Sequence, residues 1–307
     1  MTDGMGLSPT PPQLQYFEER AAAPVTLIGQ GMEGAVYDLG DGLAGKIWFE
    51  RSVSEVRPLQ AFLGELSQQG LPFRTPEIVV VDDIGGRAVS IEKKLTGTPL
   101  QQALENGAVS RQQGTELFVD IVTALETTTA GPAAAALPLL GGVEPAAGEW
   151  GMRLAELVRQ RALGSSEYLT KDVDGFDELL GKVLAGLAAV QPDKPQIVHG
   201  DLCTPNILVG DRQVALLDWG FFTTAGDNTF DAATAAGFFD MYGPEARVID
   251  DLLFDRFEGL GHSRERMHLY RAAYAICTAT IYSPTGADGH YTWCVENLKR
   301  EDLRAAL

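Results

Sequence analysis

The chain has 307 residues, with 42 acidic against 24 basic side chains and a formal charge of −18 at pH 7. Its 45 % hydrophobic content excludes a disordered tail protein and supplies a core large enough for two lobes. With no basic patch nucleic-acid binding is excluded, and the longest apolar candidate, Ala130 to Val143, is broken by Pro132, Pro138 and Gly141-Gly142, which excludes a membrane span.

Met1 to Gln13 is polar and Pro-rich, without the pattern of a secretion signal, and reads as a flexible tail. A first lobe is expected over residues 14–96. In it, Thr26-Leu27-Ile28 leads into Gly29-Gln30-Gly31-Met32-Glu33-Gly34, a G-x-G-x-x-G sequence. A dinucleotide-binding fold uses the same letters but needs a helix directly after the glycines. Here Ala35 to Leu39, a Gly40-Asp41-Gly42 turn and Leu43 to Phe49 predict strand, turn, strand. The glycines then bend a hairpin whose amides can approach phosphate oxygens, making Gly29, Gly31 and Gly34 candidate nucleotide-binding positions. Lys46 follows on the second strand, at the position of a kinase phosphate-binding lysine. Gly40 to Lys46 also fits G-x-x-x-x-G-K, but Ile47 stands where a P-loop needs a hydroxyl.

Ser54 to Gln69 predicts a helix, with Ser54 as N-cap and Leu59, Phe62, Leu63 and Leu66 as its apolar stripe. Pro58 is tolerated there because the first four amides of a helix have no internal partner. Glu55, in the first turn, is expected to pair with Lys46, with Glu65 as second choice. Arg87 to Leu95 predicts a further strand, and its end, Glu92 to Leu95, suits backbone hydrogen bonding to a purine edge. The chain then crosses into a second lobe over residues 97–307. Ala130 to Gly148 is an Ala/Pro/Gly-rich connection, read as a linker in preference to a lid. Gly151 to Arg161, Phe176 to Val190, Asp231 to Met241 and Glu265 to Ile281 have helical apolar spacing, so this lobe is mainly helical.

The stretch Ile197 to Gly220, IVHGDLCTPNILVGDRQVALLDWG, carries the chemistry. Ile207-Leu208-Val209 and Val214 to Leu217 predict a hairpin around Gly210-Asp211-Arg212-Gln213. Pairing 209 with 214 brings Asn206 and Asp218 to the same end, an amide oxygen beside a carboxylate, which is a hard-oxygen site for Mg²⁺ carried on phosphates. Asp201 lies on the loop leading in, where it can reach a substrate hydroxyl. The order D-x-x-x-x-N, then D-x-G, is that of a kinase catalytic centre. His199 reads as a loop-bracing residue, and Cys203 as a small filler in preference to a nucleophile.

The three cysteines, Cys203, Cys277 and Cys294, have no framework spacing, which fits a reducing cytoplasm, and the four histidines show no ligand spacing. Between Asp227 and Glu258 eight acids face only Arg247 and Arg256. Asp240, Glu245, Asp250, Asp251 and Asp255 are therefore candidate contacts for a cationic acceptor, drawn in by an acidic field. Tyr270, Tyr274, Tyr282, Tyr291 and Trp293 are read as core before pocket.

The pieces IGQGMEGAVY, the AGK strand, IEKKLTGTPL, HGDLCTPNILV, LLDWG and DNTFDAATAA, spanning residues 28 to 236, resemble the aminoglycoside phosphotransferase family. The resemblance implies an α+β, two-lobed protein-kinase-like fold with a small β-rich N-lobe and a larger, mainly helical C-lobe. It implies Asp201 as catalytic Asp, Asn206 and Asp218 as Mg²⁺ ligands, Lys46 on the phosphates of ATP or GTP, and Asp231 as the buried brace of the catalytic loop. Gly220 departs from the acidic residue many members carry there, and the glycine loop is closer to a protein kinase's. A protein kinase itself is set aside, because only Trp219 to Phe230 separates Asp218 from Asp231 and no A-P-E follows. The expected activity is transfer of a γ-phosphoryl group to a hydroxyl of a small cationic molecule such as an aminoglycoside-type antibiotic. An amino-alcohol or sugar kinase is the runner-up, and a non-catalytic nucleotide-binding module stands behind both.

Overall fold

The computed structural model describes residues 11–31, 33–140, 149–211 and 213–307. It divides into two compact units: one runs to Thr98 and takes in Leu208–Leu217, the other comprises Pro99–Ile207 and Asp218–Leu307. The hairpin expected within the second lobe thus groups with the first unit. Among the described residues no helix is long and apolar enough to cross a membrane.

In chain order the first unit holds α1 (Pro11–Glu18), β1 (Thr26–Gln30), β2 (Gly34–Gly40), β3 (Leu43–Trp48), α2 (Val53–Leu66), β4 (Ile78–Ile84) and β5 (Arg87–Lys93). The strands form one antiparallel sheet in the order β1-β2-β3-β5-β4. The expected β2–β3 turn is present, with Gly40, Asp41 and Gly42 all at positive φ, a conformation two glycines make cheap. Phe17 of α1 packs with Tyr37, Leu39, Ile47 and Val89 in a buried cluster. A Cβ at Gly45 would sit 2.7 Å from the Phe17 ring, so β3 admits α1 only with glycine there. This corrects the flexible tail in part: residues 1–10 lie outside the described residues, but Pro11, Pro12 and Gln13 open α1. Gln13 is buried and donates to the Ile84 carbonyl.

Helix α2 starts two residues earlier than expected, with Ser52 as N-cap. The missing N–H of Pro58 then falls inside the helix, depriving the Ser54 carbonyl of its donor; Ser54 is exposed, so water can replace it.

After β6 (Thr98–Pro99) the second unit holds α3 (Leu100–Glu105), α4 (Arg111–Glu126), α5 (Pro132–Ala135), α6 (Trp150–Asp172), α7 (Phe176–Ala188) and β7 (Gln196–Val198). The hairpin β8 (Ile207–Val209) and β9 (Val214–Leu216) intervenes, followed by β10 (Thr224–Gly226), α8 (Thr229–Phe238), α9 (Ala246–Gly259), α10 (Arg264–Thr278), α11 (Gly289–Lys299) and α12 (Glu301–Ala306). Its core centres on α8, buried along its whole length, and on α10, buried from Met267 to Thr278. Of the connection read as a linker, Ala134, Leu137, Leu139 and Leu140 are buried, so that part is core; residues 141–148 lie outside the described residues.

Candidate active site

Strand β7 is buried and pairs with β10, Val198 opposite Thr224, and it delivers the chain into His199-Gly200-Asp201. That loop hangs on Asp231, in the first turn of α8 and fully buried. Asp231 Oδ2 accepts from the His199 amide at 2.8 Å and Oδ1 from the Gly200 amide at 2.7 Å, with Asn228 Nδ2 donating at 3.2 Å. Burial pushes its carboxyl up to about 7, and the hydrogen bonds from Gly200, His199 and Asn228 oppose that rise. Gly200 has φ +81°, and a Cβ there would lie 2.2 Å from that of Phe222, so the turn requires glycine.

A second tie joins this loop to the one after β9. Thr223 Oγ1 accepts from the Gly220 amide and donates to the His199 carbonyl, both at 2.8 Å. His199 meets Trp219 edge-on at 4.4 Å between ring centroids, and its Nδ1 accepts from the Asp201 amide at 3.1 Å. These contacts tie His199 to both loops. Thr223 and Asn228 escaped the sequence reading because lone hydroxyl and amide residues carry no spacing signal.

Asn206 closes a 3₁₀ turn, Thr204–Asn206, and its Nδ2 donates to the Asp201 backbone carbonyl at 3.0 Å and to Asp201 Oδ2 at 3.1 Å. With its amide hydrogens turned to Asp201, Asn206 presents Oδ1 on the other side, as an oxygen ligand must. The Gly210 amide bonds the Gln213 carbonyl at 3.0 Å, closing the hairpin turn with 209 beside 214 as expected. Asp218 has φ +60°, a region costly for a residue with a Cβ and held only where surroundings enforce it. The Asn206 oxygen and the Asp218 carboxylate are hard donors of the kind Mg²⁺ takes, so this pair could hold one. Among the described residues no three His, Cys, Asp or Glu side chains gather to hold a metal by themselves.

Asp201 and Cys203 border a cleft of about 540 Å³, shared with Asp240, Tyr242, Tyr274 and Tyr282. Burial raises the Cys203 thiol well above its ordinary pKa, which suits a filler and not a nucleophile. Of the five acids expected to meet the acceptor, only Asp240 lines this cleft. Asp250 is buried against Arg271 and Arg300, Asp251 bonds Arg247 at 2.8 Å, Asp255 pairs with Arg264, and Glu245, not itself in the lining, meets the lining residue Arg111 at 3.1 Å. Sequence distance hides these partners: Arg271 lies 21 residues from Asp250. Tyr274 and Tyr282 belong to the cleft wall, whereas Tyr270 bonds Asp227 in the core at 2.8 Å.

In the first unit, Lys46 lies on β3 opposite Val36 and Ser90, beside the glycine loop that the Gly31 amide closes onto the Gly34 carbonyl at 3.0 Å. Gly29 and Gly31 have open space where a Cβ would be, and Gly34 has Ile47 O at 2.3 Å from that point. Glu55 does not join them. It accepts from the Ser52 amide at 2.8 Å and from Ser52 Oγ at 2.6 Å, capping its own helix, and these bonds hold its carboxyl below the ordinary value. The carboxylate beside Lys46 is Glu33, with Oε2 3.6 Å from Nζ. Glu92, on β5 opposite Ala44, accepts from Ser90 Oγ at 2.7 Å, and Leu95 lies two residues beyond the strand.

The sequence profile of the phosphotransferase enzyme family matches residues 24–269. Among curated proteins none matches the chain in sequence. Solved structures share its kinase-like fold. A thermostable mutant of aminoglycoside phosphotransferase APH(4)-Ia superposes with a TM-score of 0.69 at 13 % identity, covering 96 % of this chain and 98 % of that one. A related mutant in ternary complex with AMP-PNP and hygromycin B gives 0.68 at 14 %, covering 95 % and 98 %. A choline/ethanolamine kinase family protein from Mesorhizobium loti gives 0.57 at 17 %, covering 93 % and 88 %.

Proposed function

The chain belongs to the phosphotransferase enzyme family, and from that premise we propose that it moves the γ-phosphoryl group of Mg²⁺-bound ATP, or GTP, to a hydroxyl of a small cationic molecule. The observation that carries this reading is the Asp231-braced loop, which sets Asp201 at the cleft and turns the Asn206 amide onto it. Phosphoryl transfer passes through a loose transition state, so positioning and charge neutralisation outweigh proton abstraction. Asp201 orients the acceptor hydroxyl in the cleft and takes its proton as the bond to phosphorus forms. Its backbone is fixed by His199 and its carboxylate by Asn206, so the geometry exists before the acceptor arrives. Asn206 Oδ1 and Asp218 would hold Mg²⁺, which when bound would neutralise phosphate charge, and Lys46 with the Gly29–Gly34 loop would hold the phosphates.

Asp201, Asp240 and Glu105 outnumber Arg111 in the cleft lining, and Tyr242, Tyr274 and Tyr282 line it with aromatic side chains, which together favour an amine-bearing acceptor. An aminoglycoside-type antibiotic fits that description, as hygromycin B is held by the APH(4)-Ia mutant. The same aromatic lining keeps an amino-alcohol or sugar kinase as second reading. Three cysteines without disulfide partners support a cytoplasmic setting. The test is turnover of Mg·ATP over a panel of aminoglycosides, amino-alcohols and sugars. Asp201→Asn should keep ATP affinity and slow turnover about 10²–10⁴-fold; near-wild-type turnover removes Asp201 from its role.

A further inference from the structure

Resting on the phosphotransferase reading, we propose that Arg51 joins Lys46 as a phosphate-binding residue, and that Glu33 of the glycine loop occupies the pair until a nucleotide phosphate displaces it. Lys46 and Trp48 stand two apart on β3 and so share a face of the strand. Lys46 Nζ lies 3.6 Å from the Trp48 ring centroid, and the Arg51 guanidinium carbon lies 5.5 Å from it. The indole is buried and fixed, its Nε1 donating to Ser90 Oγ at 3.0 Å, so it forms a rigid floor for both cations. Glu33 reaches both: Oε1 accepts from Arg51, and Oε2 lies 3.6 Å from Lys46.

The backbone puts Glu33 there. Phe49 donates its amide to the Glu33 carbonyl at 2.9 Å, and the absence of a Cβ at Gly34 lets the loop lie against the Ile47 carbonyl. One carboxylate nevertheless fills this site poorly. At 3.6 Å the Lys46 contact is an ion pair beyond hydrogen-bond length, and Glu33 Oε2 is buried with no hydrogen-bond partner. Glu55 also acts on Arg51 through its charge, but it is hydrogen-bonded to Ser52, so Glu33 is the carboxylate in contact with both cations. A terminal phosphate, with more oxygens and more charge, can bond both at once. Because the loop is the glycine-rich segment already expected to approach phosphate, exchanging Glu33 for phosphate needs only a side-chain swing, with the Trp48 floor unmoved.

Calorimetric titration of the full chain with ATP and with adenosine, both with Mg²⁺, tests this. Arg51→Ala should weaken ATP about tenfold or more and adenosine less than about twofold, because only ATP carries the charged acceptors. Arg51→Lys, which keeps the charge, should recover part of the loss. Glu33→Gln should tighten ATP several-fold with adenosine unchanged, and the double variant should lose that gain. An unchanged ratio of ATP to adenosine affinity in Arg51→Ala, or weaker ATP binding in Glu33→Gln, overturns the proposal. If Arg51→Ala fails to fold, Arg51→Lys and Glu33→Gln decide alone. Wild-type protein that binds no nucleotide refutes the phosphotransferase reading itself, a separate outcome.

Discussion

Replacing Asp250 by Ala separates structure from acceptor recognition. The Arg271 side chain is 1 % exposed and donates to Asp250 at 2.8 and 3.2 Å, to the Ala233 carbonyl, and to Asn297 Oδ1 at 2.9 Å. Arg300 pairs with the same carboxylate and keeps Asp302 at 2.8 Å. Burial pushes the Asp250 carboxyl up, but Arg271 and then Arg300 outweigh it and hold it below the ordinary range. Breaking a buried pair by removing one partner costs roughly 3–5 kcal/mol. Arg271 retains two acceptors, so the lower end applies, about 3 kcal/mol, or a Tm drop of roughly 6–12 °C at ~2–4 °C per kcal/mol for a unit of this size. Asp255→Ala is the control: its side chain is 73 % exposed, and such surface pairs contribute ~0–1 kcal/mol. Urea unfolding followed by circular dichroism measures both, and acceptor KM is read on the folded protein. An Asp250→Ala protein as stable as Asp255→Ala, with a raised acceptor KM, would refute the reasoning and return Asp250 to the acceptor site.

Asp218→Ala and Asn206→Ala should each raise the Mg²⁺ concentration needed for half-maximal turnover, since each deletes an oxygen ligand; Mg²⁺ titrations superimposable on wild type would remove the pair from metal binding. In acid the buried histidines should work against the fold, while Asp231, its carboxyl raised to about 7, works for it by taking up a proton as pH falls below 7. Burial lowers His268 and His290 to about 4, below the ordinary histidine value, so between pH 6.5 and 4 the unfolded chain binds protons that the native state refuses. Their contribution is fully present above about pH 6.5 and declines toward pH 4, by on the order of 3 kcal/mol each. The difference isolates the histidine: from pH 7.5 to 5 the urea midpoint of His268→Gln should shift toward greater stability relative to the shift of wild type, and parallel shifts would show that His268 is not the titrating group.

The half of the candidate site around Asp201 was legible because its geometry is local. Asp201 and Asn206 lie five residues apart, and their contact is made within one 3₁₀ turn. The hairpin followed from a turn flanked by two apolar runs, and the Gly210–Gln213 bond closes it in that register. Glu55 failed for a reason the sequence also contained. Ser52-Val53-Ser54-Glu55 is itself a capping box, and a carboxylate bonded to its own helix start is not available to β3. Helix α9 escaped because charged residues crowd its sequence and its buried face is narrow, Ile249, Asp250, Leu253, Phe254 and Phe257. One of those five is a carboxylate, which no apolar periodicity predicts.

The acidic stretch from Asp227 to Glu258 looks different once its partners are known. Asp227 bonds Arg266 and Tyr270, Asp231 takes backbone amides, Asp240 and Glu245 share Arg111, and Asp255 and Glu258 share Arg264. Asp250 and Asp251 face Arg271, Arg300 and Arg247. Sequence counted two cations in that stretch, but Arg111, Arg264, Arg266, Arg271 and Arg300 arrive from elsewhere in the chain. Opposite charges in contact cancel beyond a Debye length of ~8 Å, so these acids contribute little to a long-range field. On the proposed reading, this stretch then acts on a cationic acceptor by contact within the cleft, through Asp240, and not by steering from a distance. Asp240 is the pivotal group, because it lines the cleft, its side chain largely covered, while its half-exposed partner Arg111 lies at 3.2 Å. Such a partly exposed pair is weak enough for an acceptor's ammonium group to compete with the guanidinium.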